Sequence, residues 1–413
     1  MKRKSLFYKK GFFLGFILSN IILTGLSFQT IGIHQALDTF RANTIDISSP
    51  SWYLDAISYN RNEIPNNLTP VKIAIIDSGI NESLPSIAGN LWNNTNEIAG
   101  NSIDDDENGY IDDIHGFDFY LNKSIDPTAK NFTSHGTFIA NQIGGSDENE
   151  VPGILPEVRI VNIRILDENN YIRLTTWDKL ANALYYALEL DVDLIVFSIE
   201  FVMVPNDYVK NAFDAVKQSG TPLIAPTGNG YLTSLSQPGS YDWTITVGAV
   251  KYDVDSNSLI HADFSNQGFP IDLVAPGQFI QGIGVSGEKE IKSGTSFSVP
   301  LVAGAVGLIL NYNNTLDRET IRSILRYTAT PLGECQKYGY GLLNVTNIIR
   351  LMESGQYLNL NPQLLEGKCI LEGNSVEKNQ ISLIGFPIEN IFLLPIIFSV
   401  LNSKKKIKSR IWD

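Results

Sequence analysis

The chain has 413 residues, 43% hydrophobic and 18% charged, a composition that supports a sizeable buried core and excludes wholesale disorder. Its formal net charge of −13 is unevenly placed. Residues 1–10 are basic through Lys2, Arg3, Lys4, Lys9 and Lys10, and residues 402–413 through Lys404, Lys405, Lys406, Lys408 and Arg410. The long span between them is strongly acidic, which argues against a nucleic-acid partner, since that needs a basic surface.

After the basic start, Gly11 to Phe28 is apolar, so residues 1–28 read as a secretory signal peptide or an uncleaved N-terminal anchor. Residues 29–68 are mixed and polar, an N-terminal extension and a candidate short pro-segment. From Val71 the pattern changes. Residues 71–77 form a continuous apolar run ending in Asp77, which predicts a buried parallel strand; residues 159–166 and 193–199 read the same way. Thr176 to Leu190 has helical spacing, Asp207 to Gln218 is a second helix, and residues 221–226, 243–250 and 271–277 are further strands. Helices then dominate, over Phe297 to Tyr312, Asp317 to Tyr327 and Val345 to Met352. This alternation predicts an α/β fold, a mostly parallel, doubly wound sheet with helices on both faces, over residues 69–352.

Residues 353–380 lack that rhythm and read as a linker. Ile381 to Leu401 is an apolar stretch long enough to cross the ~30 Å hydrocarbon layer. Glu389 interrupts it, and the basic tail 402–413 follows as a cytoplasmic flank would. These ends predict a protein of the cell membrane with its acidic body on the extracytoplasmic side, or a secreted protein if the second stretch does not span. Cys335 and Cys369 are the two cysteines. Outside the cytoplasm they either pair or stay as separate structural thiols.

In open α/β sheets, sites form beyond the carboxyl ends of strands, which singles out Asp77, the Ser198–Glu200 turn and the Gly228–Asn229 turn. Among four histidines (His34, His115, His135, His261), His135 stands just before an apolar helical run. Ser134 is placed to cap that helix, and Gly136 removes crowding beside the imidazole. Ser296 sits where a glycine-containing turn opens another apolar helix, with Pro300 required near the first turn. A serine, a histidine and an aspartate so placed on one sheet suggest nucleophilic catalysis.

Residues 73–80 with Asp77, 135–145 with His135, 223–229 with Asn229 and 293–310 with Ser296 resemble the blocks of the subtilisin family of serine peptidases, and residues 264–268 and 272–277 resemble supporting blocks. The order Asp, His, Ser is that family's own. The resemblance implies a three-layer subtilisin-like fold and a serine endopeptidase acting on peptides or proteins. Ser296 would be the nucleophile, His135 the base, Asp77 its orienting partner, and Asn229 an oxyanion donor. An inactive, peptide-binding version of the fold at the membrane is the alternative.

The chain departs from that pattern. Where the family has Ser-Leu-Gly along the substrate cleft, this chain has Ser198, Ile199 and Glu200. Glu200 either narrows the pocket beside Gly228 and favours a Lys or Arg before the cut, or points into solvent. The extension before the catalytic domain is also shorter than the family's usual folding prodomain. Finally, Asp104 to Asp113 is densely acidic. Oxygens of Asp104, Asp106, Asn108, Tyr110 (carbonyl) and Asp112 fit the start of a calcium loop, although His115 replaces the closing Glu of an EF-hand. A structural Ca2+ is the expected cofactor, and no organic one is implied.

Overall fold

The computed structural model describes residues 49–360 apart from 67, 129–131, 147–150, 173–176 and 203. The predicted signal or anchor, the apolar stretch 381–401, the basic tail and Cys369 lie outside the described residues, as do the linker beyond residue 360 and most of the N-terminal extension.

The strand runs read from the sequence form one sheet. β1 (Val71–Asp77) lies between β4 (Val158–Arg164) and β5 (Leu194–Val196), all parallel. Beyond β5 come β6 (Leu223–Pro226), β7 (Ile245–Asp253) and β9 (Leu273–Pro276), again parallel. β2 (Gly116–Asp118) joins β4 in parallel. Among the described residues, only β3 (Lys123–Ser124) and β8 (Ser258–His261) are antiparallel in this sheet, at its two ends. A separate hairpin, β10 (Ile280–Ile283) and β11 (Lys289–Lys292), stands off the sheet.

Both faces of the sheet are covered, which explains why β1, β5, β6 and β9 are largely apolar rather than alternating. Along β1, Ile73 and Ile75 pack into one core and Ala74 and Ile76 into the other. The first core is closed by α1 (Trp52–Ala56), α3 (Ser134–Gly144), α6 (Val299–Tyr312), α7 (Arg318–Thr328) and α9 (Val345–Ser354). The second is closed by α4 (Trp177–Glu189) and α5 (Asp207–Ser219). Two short helices, α2 (Pro85–Ala88) and α8 (Cys335–Tyr338), complete the body. This is the three-layer α/β fold that the alternation of elements predicts.

Three details bear on the site. First, the segment Thr295–Tyr312 is long and apolar enough to cross a membrane, but 89% of it is buried, because it is the central helix of the first core. Second, Pro300 falls within the first turn of α6, where its missing N–H costs no helical bond. Third, the polar extension carries core. Trp52, Tyr53, Leu54, Ala56 and Ile57 are buried in the first cluster, and the Ile57 and Ser58 carbonyls accept from Val345 and Thr346 at the start of α9.

Candidate active site

β1 has β4 on one side and β5 on the other, so the chain switches direction around it, and its carboxyl end opens a crevice. Asp77 ends β1 there, only 1% exposed. The His135 imidazole donates from Nδ1 to Asp77 Oδ1 at 2.8 Å and Oδ2 at 3.0 Å. The Ser78 N–H also donates to Oδ1, at 2.7 Å. Asp77 therefore fixes the ring and its tautomer, leaving Nε2 as the free face.

α3 presents His135 in its first turn. Its N-cap residue is Thr133 rather than Ser134, and no side chain caps it. The Ser134 hydroxyl instead donates to Glu290 on β11 at 2.6 Å, drawn there by a carboxylate that outcompetes a neutral cap. Burial would raise the Glu290 carboxyl, but hydrogen bonds from Lys292 and Ser134 outweigh it and hold the group below the usual range. Gly136 allows the close approach of α3 to β1: its N–H donates to Ser78 Oγ at 2.9 Å, and a Cβ there would lie 2.5 Å from the Gly79 carbonyl oxygen.

Ser296 is the middle residue of a 3-10 turn, Thr295–Phe297, leading into α6. The turn is preceded by Gly294, whose φ of 153° suits glycine. Phe297 packs its ring 5.4 Å from that of His135 and 5.0 Å from that of Phe138, so the Ser296 turn and the histidine helix share one aromatic wedge. Among the described residues no hydrogen bond joins Ser296 Oγ to His135 Nε2; catalytic contacts of this kind often tighten only with substrate bound.

Asn229 follows β6 and is clamped from both sides. Its Oδ1 accepts from Thr295 N–H at 2.8 Å and Thr295 Oγ1 at 3.1 Å. Its Nδ2 donates to Glu200 Oε1 at 3.1 Å, and its backbone N–H to the same oxygen at 2.9 Å. A backbone N–H can only donate and a carboxylate only accept, so the amide orientation is forced. The second hydrogen on Nδ2 remains for a ligand.

The other predicted pocket residues are placed as follows. Ser198 is buried and donates from Oγ to the Ser296 carbonyl at 3.2 Å, while the Ile199 side chain belongs to the second core. Among the described residues, no backbone hydrogen bond engages the N–H or carbonyl groups of Ser198, Ile199 or Glu200. These backbone groups form a free edge to which an extended segment can add. Glu200 does not point into solvent. Its carboxylate turns inward onto Asn229 and Ser236 and lies against Gly228, where a Cβ would sit 2.3 Å from Oε2.

The acidic loop folds differently from a simple calcium loop. Carboxylate oxygens of Glu97, Asp106 and Asp113 lie within 4.8 Å of one another. Asp104 instead accepts from the Asn108 and Gly109 N–H groups, and Asp112 accepts from Gly100, Asn101 and Ser102. Asn108 donates to Asp113, and the Tyr110 ring packs on Phe117, Phe119 and Tyr186. Burial pushes the Asp113 carboxyl up; hydrogen bonds from Tyr186, Asn94 and Asn108 oppose this, and the charge of Asp106 adds to it. Three converging carboxylates with residual repulsion form an oxygen-only donor set that fits a hard divalent cation. Glu97 lies outside the acidic run Asp104–Asp113, so the local pattern does not signal it. His115 bonds Glu82 at 2.9 Å and belongs to the scaffold of this region.

The histidine oriented by a buried carboxylate thus faces the aromatic ring of Phe297, in the same turn as Ser296, where that turn opens a core helix on an α/β sheet. The profile of the subtilase family matches residues 69–341, and the chain belongs to that family of serine endopeptidases. An intracellular serine protease of Paenibacillus polymyxa is 29% identical over 297 residues, covering 68% of this chain and 81% of that protein. Subtilisin E of Bacillus subtilis is 31% identical over 281 residues, covering 67% of this chain but 64% of the relative. Among solved structures, fervidolysin of Fervidobacterium pennivorans, a keratinolytic enzyme related to subtilisin, superposes with a TM-score of 0.60 at 20% identity, over 72% of this chain and 45% of that one. The protease domain of PatA superposes with a TM-score of 0.55 at 24% identity, over 70% and 99%. These two structures show the shared fold.

Proposed function

We propose that the chain hydrolyses peptide bonds through Asp77, His135 and Ser296, with Asn229 as the oxyanion donor. The Asp77–His135 pair at the switch point of the sheet carries this reading. Ser296 Oγ attacks the scissile carbonyl carbon while His135 Nε2 takes its proton and later returns it to the leaving amine. Asp77 stabilises the imidazolium that forms. Asn229 Nδ2 gives its second hydrogen to the tetrahedral oxyanion, joined by the Ser296 N–H. The free edge at Ser198–Glu200 aligns the substrate backbone. Ser296→Ala should abolish cleavage of an unfolded protein substrate, the outcome that also separates this reading from an inactive peptide-binding module. Turnover retained by that variant would refute the assignment.

Glu97, Asp106 and Asp113 would hold a calcium ion, which supplies charge neutralisation and ties the loop to the edge of the sheet near β2. The basic and apolar ends of the sequence support an enzyme tethered at the cell membrane with its acidic body outside, acting on secreted or surface peptides and proteins. Digestion of intact cells by an added protease should then destroy the body; protection of the body behind a permeable outer layer would contradict this. Removing residues 29–68 as one piece would strip the Trp52, Tyr53, Leu54, Ala56 and Ile57 side chains from the first core, each large apolar one worth about 1.5–3 kcal/mol.

A further inference from the structure

We infer that Glu200 selects a lysine or arginine side chain immediately before the scissile bond, and that this substrate cation releases the oxyanion donor Asn229 from an opposing charge. The inference rests on the triad reading above and names the substrate class of that same site.

Glu200 is half-buried in the segment that follows β5. Its Oε1 accepts from the Asn229 N–H and Nδ2, and its Oε2 from Ser236 Oγ at 2.6 Å. All three donors are neutral, and among the described residues no lysine or arginine pairs with this carboxylate. A partly buried anion held only by neutral donors attracts a cation from outside. The carboxylate also packs against Gly228, next to the residue that would meet the reacting carbonyl, so the charge lies close to the proposed oxyanion position.

The placement has a second consequence. One amide NH2, Asn229 Nδ2, serves both Glu200 and the developing oxyanion. Two negative oxygens on one donor repel each other, so an uncompensated Glu200 opposes the transition state. A lysine or arginine side chain bound at Glu200 offsets that repulsion most strongly when the oxyanion has formed. Such binding is realised mainly in the transition state and raises kcat rather than only lowering KM. A role limited to orienting Asn229 would instead affect every substrate alike.

The test uses the full chain and peptides identical except for Lys, Arg or norleucine before the cut. Lys and Arg should exceed norleucine in kcat/KM by at least tenfold, a ratio equal to about 1.4 kcal/mol, with most of the difference in kcat. Glu200→Gln should bring the ratio close to one and raise kcat for the norleucine peptide. An equal loss for all peptides in Glu200→Gln, or a preference that survives it, overturns the inference. If Glu200→Gln does not fold, the wild-type comparison decides: no preference for Lys over norleucine, or one confined to KM, overturns it. Fluorophosphonate labelling of the same preparations separates the two levels. Labelled enzyme indifferent to the basic residue refutes this inference and leaves the peptidase reading standing, whereas absence of both labelling and cleavage removes both.

Discussion

Gly136→Ala adds one methyl group where the start of α3 meets the loop after β1. The new Cβ would lie 2.5 Å from the Gly79 carbonyl oxygen and 3.2 Å from both Asp77 Oδ1 and Ser78 Oγ. The nearest atom is backbone, so no rotamer change relieves the contact, and the two segments must part by at least about 0.5 Å to reach a tolerated separation. His135 is the adjacent residue, so the displacement acts on its 2.8 Å bond to Asp77. Because a misplacement of ~1 Å costs on the order of 10²-fold, this shift should lower kcat/KM about 10–10²-fold, or roughly 1.4–2.7 kcal/mol. The assay is peptide hydrolysis, with a thermal melt alongside. Gly89→Ala is the control: its backbone is ordinary helical, and a Cβ there meets nothing within 4 Å. A Gly136→Ala enzyme within about twofold of wild type would refute the close-approach argument.

Two further predictions concern stability. Asp272 is fully buried and accepts from Arg322 and Arg326; burial would raise its carboxyl, but the two guanidinium groups outweigh burial and hold it below the usual 3.8. Its contribution is therefore present above the unfolded carboxylate value and lost as pH falls through the lower folded value. Asp272→Asn should cost about 3–5 kcal/mol at neutral pH and flatten the acid limb of a melt-versus-pH series; an unchanged neutral melt would contradict this. For the acidic loop, calcium about 100-fold above its Kd is worth ~2.7 kcal/mol, so a chelator should lower Tm by roughly 5–10 °C. Glu97→Gln should remove the response, and a Tm indifferent to chelation would rule the site out.

The strands that carry the site were legible because both faces of the sheet are covered, which makes β1, β5, β6 and β9 largely apolar runs. α1 was not legible: five residues are too short to show a helical period, and the reason they are buried lies at α9, far along the chain. β2, β8 and the β10–β11 hairpin are short or at an edge, where pairing rather than side-chain pattern decides the conformation. At the site, residue types and spacing pointed to Asp77, His135, Asn229 and Ser296. They could not supply the direction of Glu200, which depends on donors at Asn229 and Ser236. They also could not supply Thr295 as the group that fixes the Asn229 amide, nor Glu97 and Asp113 as the carboxylates that converge with Asp106.

The central claim is that Ser296 is a nucleophile activated by His135. Mass spectrometry of the full chain after reaction with a fluorophosphonate tests it most directly. The predicted result is a single phosphonate adduct on the peptide containing Ser296, absent from Ser296→Ala and strongly slowed in His135→Ala, with both variants folded by thermal melt. An adduct on another residue, or labelling that persists in Ser296→Ala, would contradict it.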